Sequence, residues 1–109
     1  MKNLLLVTTK PVGEAGLIAL IERRGGVWNA DVGVHQGVIE AGDAVVYVGL
    51  ANLVDEYSPA ELAALHARLG SEPHAIVDIH IGHGAGSEQL AMRIAEDIIG
   101  EWGGMMEET

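Results

Sequence analysis

Two pairs of histidine and carboxylate residues lie at spacings that could bind a metal ion. Asp78 and His80 are two residues apart in an alternating segment, so both side chains would point to one side of a β-strand. Asp31 and His35 belong to a second such segment and also point away from its apolar stripe. Imidazole and carboxylate groups bind Zn²⁺ or Fe²⁺. If Asp31, His35, Asp78 and His80 shared one open sheet face, the chain would be a small metal-dependent enzyme. The sequence has no HExxH motif and no cysteine, so this reading is kept as an alternative.

The glycine-rich segment HIGHGAGS, residues 80–87, is a second candidate site. Three glycines before a helix can free backbone N–H groups to bind a phosphate. The segment lacks the lysine of a Walker motif, and its glycines do not follow the first strand as a dinucleotide fingerprint requires. We therefore expect a turn with positive φ angles, followed by a helix that Ser87 caps. Whether His80 and His83 bind a metal there stays open.

Nucleophilic catalysis has little support in the residue pattern. The chain has no cysteine, and no serine stands in a G-x-S-x-G segment. Ser58 and Ser87 both precede apolar helical patterns, where serine is a preferred N-cap. The sequence therefore predicts no catalytic residue and no cofactor.

The elements that would position these residues follow from hydrophobic periodicity. Ser58-Pro59-Ala60-Glu61 combines a capping serine, a proline at the first helical position and a glutamate that can bond back to the cap. Short additional strands are expected at Val38-Ile39 and Met105-Met106. The pattern predicts strands at 3–9, 27–34, 44–50 and 75–81, and helices at 11–24, 59–69 and 87–102.

This order predicts an α+β fold, with residues 1–109 forming a single domain. The first six elements match a ferredoxin-like βαββαβ sandwich, to which the last pattern adds a C-terminal helix. Its helices would pack on one face of a four- or five-stranded mixed sheet. The 109 residues include 31 of Leu, Ile and Val, which is enough to close a core without disulfides.

The charge distribution bears on the class of partner. The net charge is −10, and 13 of the 16 acidic residues lie in residues 37–109, against only two of the six basic ones. A negative field repels phosphate backbones and attracts basic surfaces, so nucleic-acid binding is not expected. The longest apolar stretches fall short of the roughly 20 residues that a membrane span needs. No signal-peptide pattern is present, and a cytoplasmic location is expected.

One part of the acidic region combines carboxylates with an aromatic residue. Such a rim could steer a basic protein while the aromatic side chain supplies buried contact area. The alternative is a solvated loop with one packed tyrosine. The candidate partner-binding residues are Glu40, Asp43, Asp55, Glu56, Tyr57 and Glu61.

In this general character the chain resembles the immunity proteins of bacterial polymorphic and contact-dependent toxin systems. The resemblance covers the acidic, cysteine-free composition, the double glycines Gly25-Gly26 and Gly103-Gly104, and the helix start at Gly86-Ser87. It implies an acidic, non-catalytic protein that blocks the basic site of a cognate nuclease-type toxin. A ferredoxin-like ligand-sensing domain is a further alternative. The oligomeric state and the identity of the partner stay open.

Overall fold

The computed structural model describes residues 3–30 and 35–108, which form one six-stranded sheet and four helices. None of these described helices is long and apolar enough to cross a membrane. The strands are β1 (Asn3–Thr8), β2 (Val27–Asn29), β3 (Gln36–Ala41), β4 (Ala44–Ala51), β5 (Ala75–Ile81) and β6 (Met105–Glu108). The helices are α1 (Glu14–Arg23), α2 (Leu53–Glu56), α3 (Pro59–Leu69) and α4 (Ser87–Trp102).

The strand order is β2-β3-β4-β5-β1-β6, and all neighbouring strands are antiparallel. Strands β2 to β5 follow one another across the sheet as a meander. Strand β1 then pairs with β5 on one side and β6 on the other. Because both neighbours run opposite to β1, β5 and β6 are parallel to each other. Together with α4 they form a split βαβ unit with β1 between its strands.

The α+β class agrees with the prediction, but the ferredoxin-like order is not confirmed, and the sheet has six strands rather than four or five. The reason lies in β3, predicted only as a short strand at Val38-Ile39. It pairs with β4 over six residues, around a turn in which Gly42 has a φ of 63°. This hairpin adds a full strand, and no helix crossover separates β3 from β4 to make a parallel pair. Of the strand predicted at 27–34, the structure shows Val27–Asn29, and residues 31–34 lie outside the described residues.

Helices cover both faces of the sheet, not one. Helices α1 and α4 pack on the face that presents Leu4, Leu6, Val46 and Ile79, and this is the larger core. On the other face α3 places Leu65 against Val7 of β1 and Ile76 of β5. These contacts lie where β4 ends and β5 begins, and Asp78 and His80, further along β5, are partly exposed. The remaining buried members of the larger core are Leu17, Leu20, Ile21, Ile39, Ala44, Val48, Val77, Ile81, Leu90, Ala91, Ile94, Ala95, Ile98 and Trp102.

Helix α3 forms as its sequence predicts. The Ser58 side chain accepts a hydrogen bond from the backbone N–H of Glu61, and the Glu61 side chain accepts one from the backbone N–H of Ser58. Pro59 occupies the first helical position, and Gly70 ends the helix with a left-handed φ of 70°. Both ends of α3 are therefore specified by residues local to the helix.

Candidate functional site

Asp78 and His80 lie side by side on the open part of the sheet. The Nε2 atom of His80 is 2.9 Å from Oδ2 of Asp78, and the two side chains are 43% and 28% exposed. The other carboxylate oxygen of Asp78 is buried and has no hydrogen-bond partner among the described residues. Across the sheet, Tyr47 stands opposite His80, and Gly49 stands opposite Asp78.

The structure does not bring His35 to this pair. Its Nδ1 atom lies 3.4 Å from Oε1 of Glu14, at the start of α1, and the indole of Trp28 donates a hydrogen bond to the same oxygen. Asp31 lies outside the described residues. Within the described ranges, no group of three or more His, Cys, Asp or Glu side chains could hold a metal ion.

The glycine-rich segment packs against the β3–β4 hairpin. A Cβ atom at Gly84 would overlap the carbonyl oxygen of Asp43, and one at Gly82 would lie 2.6 Å from the carbonyl oxygen of Val45. The backbone N–H of Gly82 donates to the same Val45 carbonyl at 2.9 Å. Close contact between two backbones therefore explains why these positions are glycine.

Ser87 has a different role from the predicted one. The N-cap of α4 is Gly86, with a φ of 84°, and Ser87 is the first helical residue. The Ser87 hydroxyl donates to the carbonyl of Gly84 at 2.7 Å and accepts from the backbone N–H of Val45 at 3.0 Å. Ser87 is buried, and it ties the glycine-rich segment to β4.

The structure divides the predicted partner-binding residues into two groups. The hairpin group, Glu40 and Asp43, lies where β3 turns into β4. The α2–α3 group, defined as Asp55, Glu56 and Glu61, follows the other end of β4. All five carboxylate side chains are exposed. Since β4 has eight residues, roughly 25 Å separates the two groups, so one small patch cannot contain both.

Tyr57 does not stand free as an aromatic anchor. Its ring packs against the smaller core, and its hydroxyl donates a hydrogen bond of 2.9 Å to Oε2 of Glu107 in β6. The guanidinium of Arg68 donates to Oε1 of the same carboxylate at 2.8 Å. Glu107 thus links the residue after α2 and the end of α3 to an edge strand.

Hydrogen bonding and burial shift two pKa values in this region. Burial raises the pKa of Tyr57 to about 12, and the hydrogen bond to Glu107 and the charges of Glu107, Glu56 and Glu61 add to the effect. Hydrogen bonds from the backbone and side chain of Ser58 hold the pKa of Glu61 below its ordinary value. Two members of the α2–α3 group, Glu56 and Glu61, therefore act on the tyrosine beside them.

An apolar hollow of about 300 Å³ opens beside the α2–α3 group. Sequence reasoning missed it, because the segment 51–57 was predicted as a loop and the hollow needs the one-turn helix α2. The available signal in the sequence was an aliphatic residue, Val54, next to two acidic residues. In the structure Val54 lies in α2 and is 71% exposed. We call this feature the α2–α3 hollow; its lining is Leu53, Val54, Leu62, Ala63, His66, Glu72 and Pro73.

Comparison of the chain with protein-family models, with curated proteins and with solved structures finds no match in any of the three.

Proposed function

We propose that this chain is an acidic, non-catalytic binding protein whose partner presents a basic surface. In its most specific form, the partner is a nuclease-type toxin domain, and the chain is the immunity protein that neutralises it in the cytoplasm. This follows the charge balance of the sequence, because the net charge is −10 and 13 of the 16 acidic residues lie in residues 37–109.

The observation that carries the proposal is that carboxylates of the α2–α3 group are exposed and, among the described residues, unpaired. Asp55 and Glu56 are exposed, and no Lys or Arg in the described part of the chain forms an ion pair with either of them. Two arginines elsewhere do form ion pairs: Arg24 is 2.6 Å from Asp97, and Arg23 is 3.2 Å from Glu101. Unpaired carboxylates at one corner of the molecule are available for the cations of another protein.

Such a corner would act mainly on the rate and specificity of association. Exposed carboxylates attract a basic cleft over a Debye length of about 10 Å at 0.1 M salt, and they suppress encounters with acidic proteins. Against a nuclease they would occupy the cations that otherwise bind the phosphates of the substrate. Inhibition of this kind needs no reaction on this chain.

The test is capture of the partner, followed by kinetics with the purified pair. We expect a strongly basic domain to copurify with the chain from the source organism, and the association rate to fall as salt is raised. The double substitution Asp55→Asn/Glu56→Gln should slow association about tenfold at low salt. If the partner is a toxin, the same variant should protect cells less well against it.

A matched control removes two charges elsewhere. Glu22 in α1 and Glu96 in α4 are exposed, so Glu22→Gln/Glu96→Gln changes the net charge equally on the side of the two long helices. Equal effects of the two double variants, or an association rate that does not depend on salt, would contradict recognition through the α2–α3 group.

A further inference from the structure

The α2–α3 hollow offers an apolar surface that this chain leaves uncovered. Leu53, Leu62 and Pro73 are half-buried at its wall, while Val54 and Ala63 are exposed at its opening. Its volume of about 300 Å³ is at the lower end of the range for ligand sites in proteins, roughly 300–1,000 Å³. A space of this size has room for an aliphatic side chain.

Charge surrounds this apolar surface on several sides. Asp55 and Glu56 follow Val54 in α2, Glu61 precedes Leu62 in α3, and Glu72 lines the hollow itself. The nearest arginine along α3, Arg68, already donates to Glu107. No described Lys or Arg forms an ion pair with Glu72.

We propose that the α2–α3 hollow receives one aliphatic side chain of a basic partner segment, with lysines or arginines on either side of that side chain facing the surrounding carboxylates. This inference rests on the proposed function and gives the partner surface a defined chemistry. The apolar anchor comes from the partner, whereas the sequence placed an aromatic anchor, Tyr57, on this chain. The hydrogen bond from Tyr57 to Glu107 commits that residue to the fold.

A second copy of this chain is a poor occupant of the hollow. The molecule carries a net charge of −10, and two copies meeting through this corner would bring like-charged rims together. A basic segment gains attraction from the same carboxylates. Charge complementarity therefore selects a different protein as the occupant.

The test uses three short synthetic peptides with the full chain. The first is rich in lysine and arginine around a central leucine, the second replaces that leucine with serine, and the third keeps the leucine but replaces the basic residues with glutamate. Binding is followed by shifts of backbone amide signals in nuclear magnetic resonance spectra.

We expect the first peptide to shift the amides of Val54, Leu62 and Ala63. It should bind about tenfold tighter than the serine peptide, because burial of one aliphatic side chain supplies an effect of this size. The glutamate peptide should not bind.

Two variants assign the leucine preference to the hollow. Val54→Ser removes an exposed apolar side chain at the opening, and Ala63→Gln fills the opening from an exposed helical position. Both should abolish the difference between the leucine and serine peptides while the basic peptides still bind. The matched control is Val27→Ser in β2, because Val27 is 69% exposed and lies outside the hollow.

The outcomes separate this inference from the proposed function. If leucine and serine peptides bind equally and shift the amides of Asp55 and Glu56, the hollow is not a docking site, but recognition of basic partners stands. If neither basic peptide binds at low salt, both proposals fail. A leucine preference that survives in Val54→Ser and Ala63→Gln also overturns the role of the hollow.

Discussion

The hydroxyl of Tyr57 donates a 2.9 Å hydrogen bond to the carboxylate of Glu107, fifty residues further along the chain. Arg68 binds the second oxygen of the same carboxylate. One edge-strand side chain therefore joins the segment between α2 and α3 to the end of α3. This contact adds to the packing of Leu65 on Val7 and Ile76 in holding the α2–α3 group against the sheet.

Removal of the Tyr57 hydroxyl should destabilise the fold. A hydrogen bond to a charged group contributes about 1.5–3 kcal/mol, and partial exposure of this pair places Tyr57→Phe at about 1 kcal/mol. Urea unfolding would measure the change. Tyr47→Phe is the control, because the Tyr47 hydroxyl has no hydrogen bond in the part of the chain that the structure describes. Equal loss in both variants would contradict a specific role for Glu107.

The raised pKa of Tyr57 predicts a change of stability in alkali. The pKa rises from 10.0 to about 12 on folding, so the folded state holds the phenol proton more tightly than the unfolded state does. The stability from this group is complete below pH 10 and is lost as the pH rises toward 12. Ultraviolet absorbance should show a phenolate transition near pH 12 that Tyr57→Phe removes. A wild-type protein without a phenolate transition near pH 12 would disagree with this environment of Tyr57.

Glycine substitutions should separate backbone contact from helix preference. Gly84→Ala places a methyl group against the carbonyl of Asp43 and should cost about 2 kcal/mol or more. Gly100 lies in α4 with open space around its Cβ position, so Gly100→Ala should stabilise by about 0.5–1 kcal/mol. Thermal unfolding of both variants gives the comparison. Tolerance of alanine at position 84 would mean that the glycine-rich segment does not pack against the hairpin.

The Asp78–His80 pair should show measurable coupling. Alanine at either position removes the contact between Nε2 and Oδ2, and we expect a double-mutant cycle to give about 1 kcal/mol of interaction. Chemical unfolding of the wild type, both single variants and the double variant supplies the cycle. Strict additivity would indicate that the contact between the two side chains contributes nothing to stability.

Local signals account for the elements that the sequence predicted well. The bounds of α3, β5 and α4 follow from a capping box, strand alternation and a stripe of aliphatic residues. Strand β3 was underestimated, because Gly37 and Glu40 interrupt its apolar run. A Cβ at Gly37 would overlap the side chain of Ile21, so this glycine admits a helix side chain to the sheet. That reason becomes visible only when α1 is placed.

The candidate sites likewise include one that local sequence signals predict and others that depend on tertiary structure. Asp78 and His80 meet because they are two residues apart on one strand, which a period of two predicts. The separation of Glu40 and Asp43 from the α2–α3 group follows from the path of β4 between them, and proximity in sequence gave no indication of it. The α2–α3 hollow depends on the packing of α2 against α3, a tertiary contact with no local signature.

The place of β1 between β5 and β6 has a consequence for synthesis. Both hydrogen-bonding partners of β1 lie in residues 75–108, so the first strand leaves the ribosome long before it can pair. Late pairing of this kind favours slow folding and transient exposure of the apolar strand. We expect nascent chains that stop before residue 75 to depend on chaperones, because neither strand that pairs with β1 has then been made.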